Sequence, residues 1–93
     1  MERRHLDALN TRFDEVADKG FSTITWSEVM RWWDRKRETA SIWLDLQERW
    51  EDRDFRGDKN KKIPLLINHQ RGVYTLLWGE ADWFVPVSEW AAG

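Results

Sequence analysis

Residues 21 to 56 contain neither glycine nor proline. No backbone punctuation marks a break there, so the fold turns on whether this stretch is one rod or two. A single helix from Trp26 to Arg53 would set Trp26, Val29, Trp33, Lys36, Ala40, Trp43, Gln47 and Trp50 along a coiled-coil seam. That rod would extend about 42 Å at ~1.5 Å per residue, whereas a compact chain of this length has a radius of gyration of about 12 Å. The run Asp34-Arg35-Lys36-Arg37-Glu38, followed by Thr39-Ala40-Ser41, has the composition of a helix end, a turn and a fresh cap. Two helices bending near Glu38 suit a compact chain better, and the single rod is the alternative.

Upstream, Leu6, Leu9, Phe13 and Val16 recur at steps of three, four and three. Residues 3 to 18 therefore read as an amphipathic helix, with Gly20 as its left-handed cap. Phe21-Ser22-Thr23-Ile24 suits a short strand. Thr25-Trp26-Ser27-Glu28 has capping-box spacing and starts the second helix. After the polar segment from Asp52 to Lys62, residues 63 to 68 and 73 to 78 read as the strands of a hairpin turning through His69-Gln70-Arg71-Gly72. Pro64 cannot donate to a ladder, which makes the first of these an edge strand. A third short run covers residues 83 to 87, and residues 88 to 93 are expected to fray except where Trp90 packs back.

Ninety-three residues give one small α+β domain spanning residues 1 to 93. With no cysteine, the 41% of hydrophobic residues must build the core without disulfides or thiolate metal sites. No window approaches the roughly 18 apolar residues of a membrane span, and Met1-Glu2-Arg3-Arg4-His5 runs into charge. The expectation is a soluble cytoplasmic protein that does not engage membranes. Catalysis lacks a basis: His5 and His69 have no sequence reason to meet, and there is no phosphate-cradling glycine loop or metal-ligand spacing. A non-catalytic protein with no cofactor and no metal is expected.

Helix, short strand, capped helix, turn, helix and hairpin is the element order of the winged helix-turn-helix superfamily. The chain resembles that superfamily over residues 3 to about 78, in topology and in the entry Ile24-Thr25-Trp26-Ser27-Glu28. It departs in the glycine-free turn, the long segment before the hairpin and the strand after it. The resemblance implies three helices with a winged hairpin, a third helix (39 to 53) able to enter the DNA major groove, and a wing tip of His69, Gln70 and Arg71 near the backbone.

The third helix has the wrong charge for that role. At 100° per residue, Trp43, Leu46, Gln47 and Trp50 share one side, and Ser41, Asp45, Glu48 and Asp52 lie nearly opposite. Carboxylates on the presented face would oppose phosphate. The sequence therefore points first to a protein partner, met by Asp45, Glu48 and Asp52 together with an exposed Trp32 beside Arg31 and Arg35. Trp32 projects roughly 110° from the face of Trp26, Val29, Met30 and Trp33, and an exposed Trp among arginines is the composition of an interface anchor. Glu28 and Glu38 stand at helical spacing to pair with the arginines. The alternative is a regulator contacting duplex DNA through Arg56, Lys59, Lys61, Lys62, His69 and Arg71. The strand from Val73 to Trp78 is apolar on both faces, so one face needs a cover. That cover is either the tail or a second molecule, and weak self-association is expected.

Overall fold

The computed structural model describes residues 1–53, 65–79 and 81–92. Helix α1 (Arg3–Lys19) buries Leu9, Phe13 and Val16, and leaves Leu6 half-buried. It ends at Gly20, whose φ of 93° is left-handed and whose N–H donates to the Val16 carbonyl at 2.8 Å. Strand β1 (Phe21–Thr25) alternates, with Ser22 and Ile24 buried. Thr25 then caps α2 (Trp26–Trp32). Its hydroxyl accepts the Glu28 N–H at 3.1 Å, and the Glu28 carboxylate accepts the Thr25 N–H at 3.0 Å.

Two rods form. Helix α2 ends after seven residues and α3 covers Ala40–Glu51. The stop is a Schellman motif built without glycine. Asp34 takes the left-handed position at φ 52°, its N–H donates to Arg31, and the Arg35 N–H donates to Met30 at 2.9 Å. Asp is one of the few residues with a side chain that visits this region readily. Extents of 34 × 30 × 22 Å and a radius of gyration of 12.3 Å leave no room for a 42 Å rod.

Strands β2 (Leu65–Gln70) and β3 (Val73–Trp78) pair as far as Gln70 opposite Val73, so the hairpin turn has two residues. This corrects the expected four-residue turn. Arg71 and Gly72, at φ 52° and 79°, are both left-handed, and a two-residue turn of that kind matches the twist of the strands. Strand β4 (Val85–Pro86) pairs with β2, giving an antiparallel sheet of order β1-β3-β2-β4. β2 is thus an inner strand rather than the expected edge; Pro86 sits on the outermost strand, where a missing donor costs nothing. Pro64 lies outside the described residues. The expected run from 83 to 87 contributes only Val85–Pro86 to the sheet.

The tail is also a correction. Instead of fraying, Val87–Ala92 forms helix α4. Val87 and Ala91, one turn apart, are buried in the common core, and α4 packs on α3 and β2. The protein is α+β, with four helices and one four-stranded antiparallel sheet among the described residues. Tyr74, Leu76, Leu65, Ile67 and Ile24 form the sheet side of the core. Trp43 and Trp50 of α3 are the largest buried side chains opposite them.

Candidate interaction surfaces

Trp32 is not an exposed anchor. It is 4% exposed and belongs to the core cluster, as does Trp33 beside it. The two side chains remain on the helical screw, since the Trp33 N–H still donates to the Val29 carbonyl at 3.1 Å, but α2 is covered on two sides: Trp32 lies beneath Arg12 of α1, and the Trp33 indole reaches Asp45 of α3. Trp26, expected inside, is 42% exposed. It is the first residue of α2, and its N–H donates at 2.8 Å to Gly72 of the hairpin tip.

The carboxylates near α2 do not neutralise its arginines. Glu28 pairs with Arg12 at 2.9 Å, and Glu38 accepts the indole N–H groups of Trp43 at 2.7 Å and Trp90 at 3.0 Å on the same oxygen. Arg31, Arg35, Lys36 and Arg37 are exposed and have no carboxylate partner among the described residues. The Arg35 guanidinium donates to the Trp33 and Asp34 carbonyls. The Glu38 carboxylate edges a depression of about 390 Å³ whose walls include Trp43, Trp90, Ala40 and Ala91.

Helix α3 buries Ile42, Trp43, Leu46 and Trp50. Of the three expected acidic contacts, Glu48 and Asp52 are exposed and Asp45 is half-buried. Asp45 is committed internally: one oxygen accepts the Trp33 indole N–H and the Arg49 Nε–H, each at 2.7 Å. Burial alone would raise its carboxyl, but the Arg49 and Trp33 hydrogen bonds outweigh burial and hold it below its ordinary range. Leu44 is 57% exposed. Sequence reasoning passed over it, although the helical wheel places it 40° from Glu48, far from the buried stripe. Ser41, Leu44, Glu48 and Asp52 make one outward row.

At the hairpin, His69 is exposed but bound into its own turn. It stacks on Tyr74 with ring centres 4.5 Å apart, and its Nε2 accepts the Gly72 N–H at 3.2 Å. Arg71 is exposed at the tip. Arg56, Lys59, Lys61 and Lys62 lie outside the described residues. The free edge of β1 is blocked: Arg12 donates from Nε to the Thr23 carbonyl at 3.1 Å while its other arm holds Glu28. A charged clamp along an edge strand discourages strand addition.

Tyr74 is the only tyrosine. Burial, with the Glu38 carboxylate adding to it, pushes its phenol from 10.0 up to about 12. The unfolded chain would lose this proton near 10 while the fold keeps it to about 12. Stability is thus full below 10 and declines as pH rises through that window. Phenolate absorbance should therefore appear only near pH 12 or together with unfolding. A midpoint near 10 with intact circular dichroism would contradict the buried site.

Among the described residues no three His, Cys, Asp or Glu side chains cluster to hold a metal ion, and no helix is long and apolar enough to cross a membrane. Comparison with known proteins finds no matching family model, no similar curated protein and no similar solved structure.

Proposed function

We propose that the chain is a non-catalytic, winged-helix-like module that docks on a protein partner through the outward row of α3. Leu44 is the apolar contact, and Glu48 and Asp52 flank it. The element order, the bend between α2 and α3 and the sheet order β1-β3-β2 support the winged-helix reading. The observation that carries the docking surface is Leu44, 57% exposed on a row whose charged members are acidic. Burying a leucine at an interface is worth ~1.5–3 kcal/mol, while carboxylates on the same row oppose a phosphate backbone. The partner surface would be an apolar pocket rimmed by basic groups.

Leu44→Arg and Glu48→Arg on immobilised protein should each lower partner capture from nuclease-treated lysate at least tenfold, with thermal unfolding little changed. Capture that survives both substitutions would remove α3 as the surface. A duplex-DNA reading has one specific observation in its favour: Arg31, Arg35, Lys36, Arg37 and Arg71 lack carboxylate partners among the described residues. Five phosphate contacts would make log affinity fall with log salt at a slope of about −4.5. Random duplex that is not retained at low salt leaves the protein-docking reading standing alone.

A further inference from the structure

The sheet has a second face, and it carries no charge. The register aligns Phe21, Leu77, Leu66 and Pro86 in one row across all four strands. Thr23, Thr75 and Asn68 form the next row, and Thr25, Val73 and Gln70 the third. These ten residues alternate with the core-facing set, and none is ionisable, in a chain that is 34% charged. A wet face of an antiparallel sheet ordinarily carries charged and polar groups. Phe21 is 51% exposed, Thr23, Thr25 and Gln70 are exposed, Val73, Thr75, Leu77, Asn68 and Pro86 are half-exposed, and Leu66 is the one buried member of the ten. The tail does not cover this face, because α4 packs on α3 and buries Val87 and Ala91 in the core on the other side. The residues before β4 reach only its margin, where the Asn68 amide donates to the carbonyl of Trp83, itself 91% exposed.

We propose that this face is the interface of a two-fold dimer, packed sheet to sheet against a second copy of the chain. A charged partner would have to lose its hydration against a face that returns no opposite charge. An uncharged face is matched by another uncharged face, and an isologous pair supplies one automatically. Edge pairing, the other way for sheets to associate, is closed on the β1 side by the Arg12–Glu28 clamp. The three long strands, about 4.8 Å apart and five residues of ~3.4 Å rise, make a footprint of roughly 240 Å². That is well under the ~800 Å² per partner of a standard interface, so the dimer is weak and forms only in concentrated protein. Because α3 packs on the opposite side of the sheet, through Trp43 on Tyr74, the dimer presents two α3 rows outward. Partner capture then gains from bivalency. The dimer itself does not depend on the α3 reading.

Sedimentation equilibrium from 10 µM to 1 mM tests it. The weight-average mass should rise above the 11.3 kDa monomer. Thr75→Lys and Thr75→Glu should each raise the midpoint at least tenfold, and an equimolar mixture of the two should recover association to within a few-fold of the parent. Thr23→Lys, on an exposed residue of the same row, repeats the test should a Thr75 variant fail to fold. Leu44→Arg should leave the midpoint unchanged. A pure monomer at 1 mM, or a dimer indifferent to both the Thr75 and Thr23 substitutions, overturns the proposal.

Discussion

Replacing Trp32 by alanine is expected to lower stability by about 3–5 kcal/mol, the range for deleting a large buried aromatic side chain. In a domain of this size each kcal/mol moves the melting temperature by about 4–8 °C, so the midpoint should fall by at least roughly 12 °C. The variant should sit near the limit of folding, since domains of this kind have only ~5–15 kcal/mol in hand. The structural reason is that Trp32 is 4% exposed in the common core, with the Arg12 guanidinium 5.9 Å above its ring. Arg12 in turn holds Thr23 and Glu28, so the vacancy would loosen the junction of α1, β1 and α2 as well as the core. Urea unfolding monitored by circular dichroism measures the loss. An unchanged midpoint accompanied by lost partner capture would restore Trp32 to the surface.

What could be read in advance was local. The stripe of α1 and the Thr25–Glu28 box follow from spacings of three or four residues, the Gly20 cap from the glycine itself, and the bend before α3 from the composition of residues 34 to 41 and the length a single rod would need, and each stands as expected. Leu44 was legible too, since its angle from Glu48 is fixed by the helix. What escaped depended on distant partners or on uncommon backbone states. Asp34 and Arg71 occupy left-handed positions usually given to glycine, and neither the glycine-free stretch around Asp34 nor the single glycine after Arg71 announces them. The burial of both Trp32 and Trp33 depends on α1 and α3 covering α2 on two sides. Six residues are too few for a helix to stand alone in water, so α4 exists only because α3 and β2 receive it. Glu38 stood at helical spacing to arginines, yet its carboxylate is taken by indoles five and 52 residues away in sequence.

That last contact defines the second large effect. Glu38→Ala is expected to lower stability by about 2–4 kcal/mol. Hydrogen bonds to charged groups contribute about 1.5–3 kcal/mol each, and a buried donor left unpaired costs a further desolvation penalty. The two indoles differ in how they respond. Trp43 is 2% exposed and fixed in the core, so its N–H regains water less readily than that of Trp90 and carries most of the loss. Trp90, only partly buried, can re-solvate by moving, and moving it detaches α4. Glu38→Ala should therefore open residues 87–92 before the rest of the fold, seen as faster amide exchange there at denaturant concentrations where α3 remains protected. Glu38→Gln keeps an acceptor oxygen without the charge and should lose about half as much. Trp90→Phe removes one donor while keeping most of the ring packing, and should loosen α4 with a smaller global effect. If exchange in α4 and α3 rises by the same factor in Glu38→Ala, the carboxylate is not what holds the tail, and the burial of Val87 and Ala91 must suffice.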